Sequence, residues 1–220
     1  MILLNNVFPA LTPLQLNLHN ASNATIGLLM GTIPSIVTFI ANPIISTSSD
    51  RTRSRWGRRI PYLLFTAPFT AMFMILLGWS DYVGKWLMKL VSYNGDPSLF
   101  IIVVMSICVI GYSIFQMFSD SVFWYIFADV VPDQFMGRFM AAFRVIGAVG
   151  GMVFNYFVMP YAKTHTAIIF TVIALIYWAS FSAMCIQVKE GEYPPPENMH
   201  LGFFQYSRGF SEIVSALHFM

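Results

Sequence analysis

The chain has 220 residues, of which 57% are hydrophobic and only 10% charged, with a formal net charge of +2. Soluble domains carry about 25% charged residues, so this composition excludes an ordinary soluble globular protein and points to a bilayer. So small a charge also excludes a nucleic-acid binder, which needs basic residues spread over one face.

The first stretch, residues 1–17, is apolar but short and holds Pro9 and Pro13. It reads as the tail of a first span whose beginning is missing. It lacks a basic leading segment, so a secretory signal is not expected. A polar turn, NLHNASNAT, follows at 17–25. From there charged residues act as punctuation. None occurs before Asp50, and further charge-free runs cover Ile60 to Ser80, Pro97 to Ser119, Val145 to Ala162 and Thr164 to Val188. A helix needs about 20 apolar residues to cross a bilayer. Five full spans are therefore expected, at 23–48, 60–80, 98–128, 138–161 and 165–187. Cys108 and Cys185 sit inside apolar runs and read as small buried residues rather than a disulfide or metal pair.

Five arginines crowd into nine positions, Arg51 to Arg59. The positive-inside rule puts this loop in the cytoplasm. Alternation then places 17–22, 81–97 and 162–165 outside, with 129–137 and the tail from Lys189 inside. Topology anchoring explains much of the arginine run. It does not explain why Asp50 leads it, or why Gly57 and Pro61 are interleaved. After Lys189 the proline-rich EGEYPPPENMH reads as a linker. The final twenty residues place Phe203, Phe210, Ile213, Val214 and Leu217 at the spacing of an amphipathic surface helix. Residues 1–188 are thus expected to form a six-helix bundle, and 189–220 a cytoplasmic linker with one helix.

The segment DRTRSRWGRRIPYLL resembles the signature loop of the glycoside–pentoside–hexuronide cation symporters, a branch of the major facilitator superfamily that includes melibiose and sucrose carriers. The preceding ANPIISTSSD and the later DSVFWYIFADVVPDQFMGRFMAAFR resemble the same family. The resemblance implies an all-α membrane protein and the N-terminal half of a twelve-helix transporter. It implies a missing C-terminal six-helix half as partner, and a sugar bound at mid-membrane. For the arginine loop it implies a latch at the inner face that stabilises one transport state, with Asp50, Arg51, Gly57, Arg58 and Arg59 as its parts. Arg138, close to the inner end of the span at 138–161, reads as a solvated boundary charge or as a second gate contact.

Within the spans Asp120 stands out. It lies about 13 Å along the helix from Asp129, and a carboxylate at that depth is costly enough to mark a function. Gln116, Asp120 and Trp124 recur every four residues and so share one helix face. Tyr112 extends the stripe by a turn. A carboxylate and an amide bind hydroxyls, while an indole covers the C–H patch of a sugar. Arg144 falls at a similar depth across the next turn. It is expected either to pair with Asp120 or to face the same cavity. The family resemblance assigns the positions of Asp120, Trp124 and Arg144 to a sugar site. A buried Asp–Arg pair that only joins two helices is the plainer alternative.

The resemblance fails at one point. The acidic pair that forms the family's cation site corresponds here to Thr38 and Asn42, neither of them charged. A coupling ion, H+ or Na+, is still expected, with Asp120 as the carboxylate available to carry a proton. No other cofactor is expected. No zinc-protease, P-loop or nucleophile-elbow motif occurs, so the chain is not expected to be an enzyme. The remaining alternatives are uncoupled facilitation, a facilitator of a different small solute, and a non-transporting membrane receptor or scaffold on the same fold. The overall expectation is a multi-pass carrier of a sugar or glycoside in the cytoplasmic (plasma) membrane, in contact with lipid and not with nucleic acid.

Overall fold

A computed structural model describes residues 2–51, 60–91, 96–162 and 164–187. Gly57, Arg58, Arg59 and the whole of 189–220 lie outside these residues, as do the side chains of Asp50 and Arg51. The expected latch and the expected tail helix therefore fall outside the described part.

Helix α1 (Ile2–Leu18) runs through both of its prolines. Its buried residues Leu4, Val7, Phe8 and Leu11 follow the 3.6-residue repeat and define its packed face. The chain then turns at Asn20, whose φ of 59° is left-handed, a conformation asparagine tolerates better than most residues. Ser22 accepts a hydrogen bond from the Thr25 amide at 3.1 Å and starts the next helix as its N-cap.

That helix has three parts: α2 (Asn23–Gly27), a π-helical turn (Leu28–Thr32) and α3 (Ile33–Arg51). The π turn ends two residues before Pro34. Proline cannot donate to the carbonyl four residues back, and its ring crowds that carbonyl. A wider turn relieves the clash. Hydroxyls take up neighbouring carbonyls: Ser35 donates to Gly31 at 2.8 Å and Thr38 to Pro34 at 2.7 Å. The same solution appears further along the chain. A second π turn (Phe154–Val158) precedes Pro160, and Asn155 donates to the Gly151 carbonyl.

Helices α4 (Ile60–Gly78), α5 (Ser80–Leu90) and α6 (Ser98–Val130) form one long antiparallel hairpin. Its contacts keep a single register from end to end. Thr66 meets Ser119 in a hydroxyl–hydroxyl hydrogen bond of 2.9 Å, Gly111 abuts the Phe73 ring, and Gly84 abuts Ile101. A Cβ on Gly84 would lie 2.9 Å from the Ile101 Cα, so a side chain there would force the two helices apart. Small residues matter in this setting because a bilayer offers no hydrophobic drive between helices and leaves close packing to hold them. Phe69 and Phe73 stack on Phe115 along the same seam.

Helix α5 corrects the sequence expectation of a loop at 81–97. The segment is too short and too charged to look like a span, yet Asp81, Lys85 and Lys89 all fit a helix with one packed side. Asp81 also approaches His19 of the α1–α2 turn, with Nε2 to Oδ1 at 2.6 Å. At the same end of the hairpin Asp96 accepts a hydrogen bond from the Ser98 amide at the start of α6. This holds its carboxyl below the usual carboxylate range.

Helix α8 (Thr166–Gln187) packs on α4 and α1, burying Phe170, Ala174, Tyr177 and Phe181 at heptad-like spacing. Helix α7 (Asp133–Val153) rests on α1, where Asn6 donates to the Gly147 carbonyl at 3.3 Å and touches Gly151. The Gly147–Gly151 pair thus serves close helix contact. The Gly27–Gly31 pair does not: a Cβ at either position would meet nothing within 4 Å. Both cysteines are buried and free. Among the described residues five helical stretches are long and apolar enough to cross a membrane: Asn23–Asn42, Ile60–Gly78, Ser98–Ala128, Asp133–Tyr161 and Thr166–Ile186.

Candidate functional site

A cavity of about 580 Å³ opens between α1, α3 and α6, within the usual range for small-molecule sites. Helix α6 supplies one wall. Tyr112, Gln116, Asp120 and Trp124 all line it, because four-residue steps hold them on one face. Helix α3 supplies Pro34, Thr38 and Asn42, and α1 supplies Asn5 and Phe8.

The polar centre is Gln116, only 6% exposed. Its Nε2 donates to the Asp120 carboxylate at 2.8 Å and reaches Asn5 Oδ1 at 3.5 Å. Its Oε1 is buried and has no partner. A buried acceptor left unpaired costs about 1–3 kcal/mol, so this oxygen favours a ligand that brings a hydrogen-bond donor. Opposite, Asn42 accepts from Ser121 at 3.0 Å. Thr38 spends its hydroxyl proton on the Pro34 carbonyl, which leaves it only as an acceptor toward the cavity.

Aromatic packing fixes the rest. Tyr112 stacks on Phe8 with ring centroids 3.9 Å apart, which ties α6 to α1. Trp124 is held edge-on by Phe127 and by Phe143 of α7. Its orientation is therefore set by neighbours before any ligand arrives.

Arg144 is placed differently from the expectation. It is exposed, it does not line the cavity, and it forms no ion pair with Asp120. The matched depth is real, since α6 ends at Val130 and α7 starts at Asp133. The rotation about the axis is what differs. Helix α7 turns Gly147 and Gly151 to α1 and Phe143 to Trp124, and the carboxylate takes the amide one turn away on its own helix. Arg138 is exposed near the α6–α7 turn, away from the cavity.

Asn5, Phe8 and Ser121 were not expected in the site. The pair Asn5–Asn6 in an otherwise apolar stretch is the signal in the sequence that points to this wall. No group of three or more His, Cys, Asp or Glu placed to hold a metal occurs among the described residues.

Comparison with known proteins bears on this arrangement. A profile of the family described as MFS/sugar transport protein matches residues 16–220. The chain is 34% identical over 86 residues to the membrane-associated transporter protein of Mus musculus, and 31% identical over 85 residues to that of Homo sapiens. Each alignment covers 39% of this chain and 15% of the relative, so the matched part spans well under a fifth of those proteins. No solved structure matches the chain significantly. A match over nearly all of an all-helical, multi-pass membrane chain decides the question of kinship: the protein belongs to the MFS/sugar transport family.

Proposed function

We propose that this chain provides the substrate-binding helices of a secondary carrier that moves a sugar or glycoside across the cytoplasmic (plasma) membrane by alternating access, coupled to a cation. The observation that carries this reading is the bonded Gln116–Asp120 pair, with one unpartnered acceptor, facing a cavity walled by Trp124. A sugar supplies what that wall lacks. Its hydroxyls donate to Gln116 Oε1 and to the carboxylate, and its C–H face covers the indole. Hydrogen bonds to a charged acceptor are worth about 1.5–3 kcal/mol each, enough to select a hydroxylated cargo over an apolar one of equal size.

The coupling ion is H+ in this reading. Asp120 is the carboxylate among the residues lining the cavity and can take up a proton, while neutral Thr38 and Asn42 stand where the resembling family carries the acidic pair of its cation site. The family relationship and the titles of the mouse and human relatives support a transporter in general terms.

The test is uptake of a panel of labelled sugars by cells or vesicles carrying the protein, with and without an imposed proton gradient. At least one sugar is expected to be concentrated only with the gradient. Asp120→Asn is expected to abolish that concentration and to weaken sugar binding about tenfold or more. Uptake that is indifferent to Asp120→Asn would remove the central residue from the mechanism.

A further inference from the structure

Helix α5 presents a second surface, separate from the cavity. Gly84 faces Ile101 of α6, and the helical repeat then turns Tyr82, Lys85, Trp86, Lys89 and Leu90 to the opposite side. All five are exposed, Tyr82 at 66% and Trp86 at 60%. On a water-soluble protein two such aromatic rings beside a bare leucine would be an aggregation hazard. Their position argues for another environment. Helix α4 has 19 residues, a rise of about 28 Å, which nearly fills the roughly 30 Å hydrocarbon layer. The hairpin register carries α5 onward past that layer along α6. Tyr82, Lys85 and Trp86 therefore fall at headgroup depth, at the end of the hairpin remote from Ile60.

We propose that this face of α5 is a binding surface for anionic phospholipid headgroups of the leaflet met by the end of the hairpin where α4 gives way to α5. Tyr82 and Trp86 seat their rings at the interface, as aromatic belts do. Lys85 and Lys89, one turn apart along one edge of the face, hold lipid phosphates. The charge and the ring chemistry are complementary to a headgroup layer in a way that neither plain hydrocarbon nor water matches. The residues are not part of the cavity wall, so the surface concerns how the hairpin is held in the bilayer rather than what the cavity binds.

The experiment uses the full chain reconstituted into vesicles of zwitterionic lipid with and without an anionic lipid. Spin-labelled anionic and zwitterionic lipids report which headgroup the protein retains at its boundary. Enrichment of the anionic lipid is expected, falling about fivefold in the double variant Lys85→Gln, Lys89→Gln and likewise in high salt for the unaltered protein. The fluorescence lost in Trp86→Phe isolates that ring from the other four tryptophans. It is expected to be quenched more by lipid brominated near the headgroup than by lipid brominated at the chain end or by aqueous iodide. Equal retention of both lipids, or retention untouched by the lysine changes and by salt, overturns the headgroup proposal. Dominant iodide quenching of Trp86 overturns its placement in the membrane interface.

Discussion

Helix α6 shows two different designs on two of its faces. Toward α4 it offers Gly111, Phe115 and Ser119, and the partner answers each: Phe73 fills the space beside the glycine, Phe69 and Phe73 stack on the ring, and Thr66 meets the hydroxyl. Thr70 closes the polar account there by donating to the Thr66 carbonyl. Toward α1 and α3 the same helix offers Tyr112, Gln116, Asp120 and Trp124, and the protein answers only in part. An acceptor stays unpaired and a volume stays open. The closely filled face holds helices together, whereas the face that leaves a volume open beside a buried acceptor has room for something else. The seam should respond to mutation in stability and the cavity in affinity.

The largest separation of the two is expected from Met74→Ala on α4. Met74 is fully buried, and emptying such a site in a soluble core costs about 2–5 kcal/mol. The effect here should fall near the lower end, because a bilayer contributes little transfer energy. Reversible unfolding in mixed micelles measures it, while sugar affinity of the folded fraction stays as it was. An affinity loss matching the stability loss would show that the two faces are not independent.

Gln116→Leu makes the converse change. It removes the orphan acceptor and the partner of Asp120 while keeping much of the volume. Sugar affinity is expected to fall about tenfold, the worth of one hydrogen bond to a polar ligand, with little loss of unfolding stability. Equilibrium binding and an unfolding curve on the same preparation decide it. A large drop in stability with affinity retained would assign Gln116 to the scaffold.

The smallest effect is expected at the α1–α2 turn, from His19→Ala. The His19–Asp81 contact is partly exposed, and such pairs contribute about 1 kcal/mol or less. Global stability should barely change. Amide hydrogen exchange in α5 should quicken, because the contact joins that helix to the α1–α2 turn. Unchanged exchange would mean that α6 alone holds α5 in place.

Much of this was legible in the residues. Charge-free runs revealed the long helices because a bilayer penalises charge so heavily that its absence becomes a pattern. Four-residue spacing revealed the Tyr112–Trp124 stripe, since helix geometry alone puts those residues on one side. Neighbours were harder to read. Periodicity places Arg144 at the right depth but is silent on its rotation about the helix axis, which Asn6, Gly147 and Gly151 decide from another helix. Helix α5 escaped for the opposite reason. Its short length and three charges resemble a loop, and only its packing against Ile101 distinguishes it.

The π turn at Leu28–Thr32 reaches further than the proline it accommodates. A turn of that type takes up about one residue more than an α turn, and each residue advances a helix by about 100°. Every side chain downstream is therefore swung by that arc relative to an unbroken helix. Thr38 and Asn42 owe their view of the cavity to this offset, and the same sequence wound as an unbroken α-helix would bring Val37 and Ala41 to that place instead.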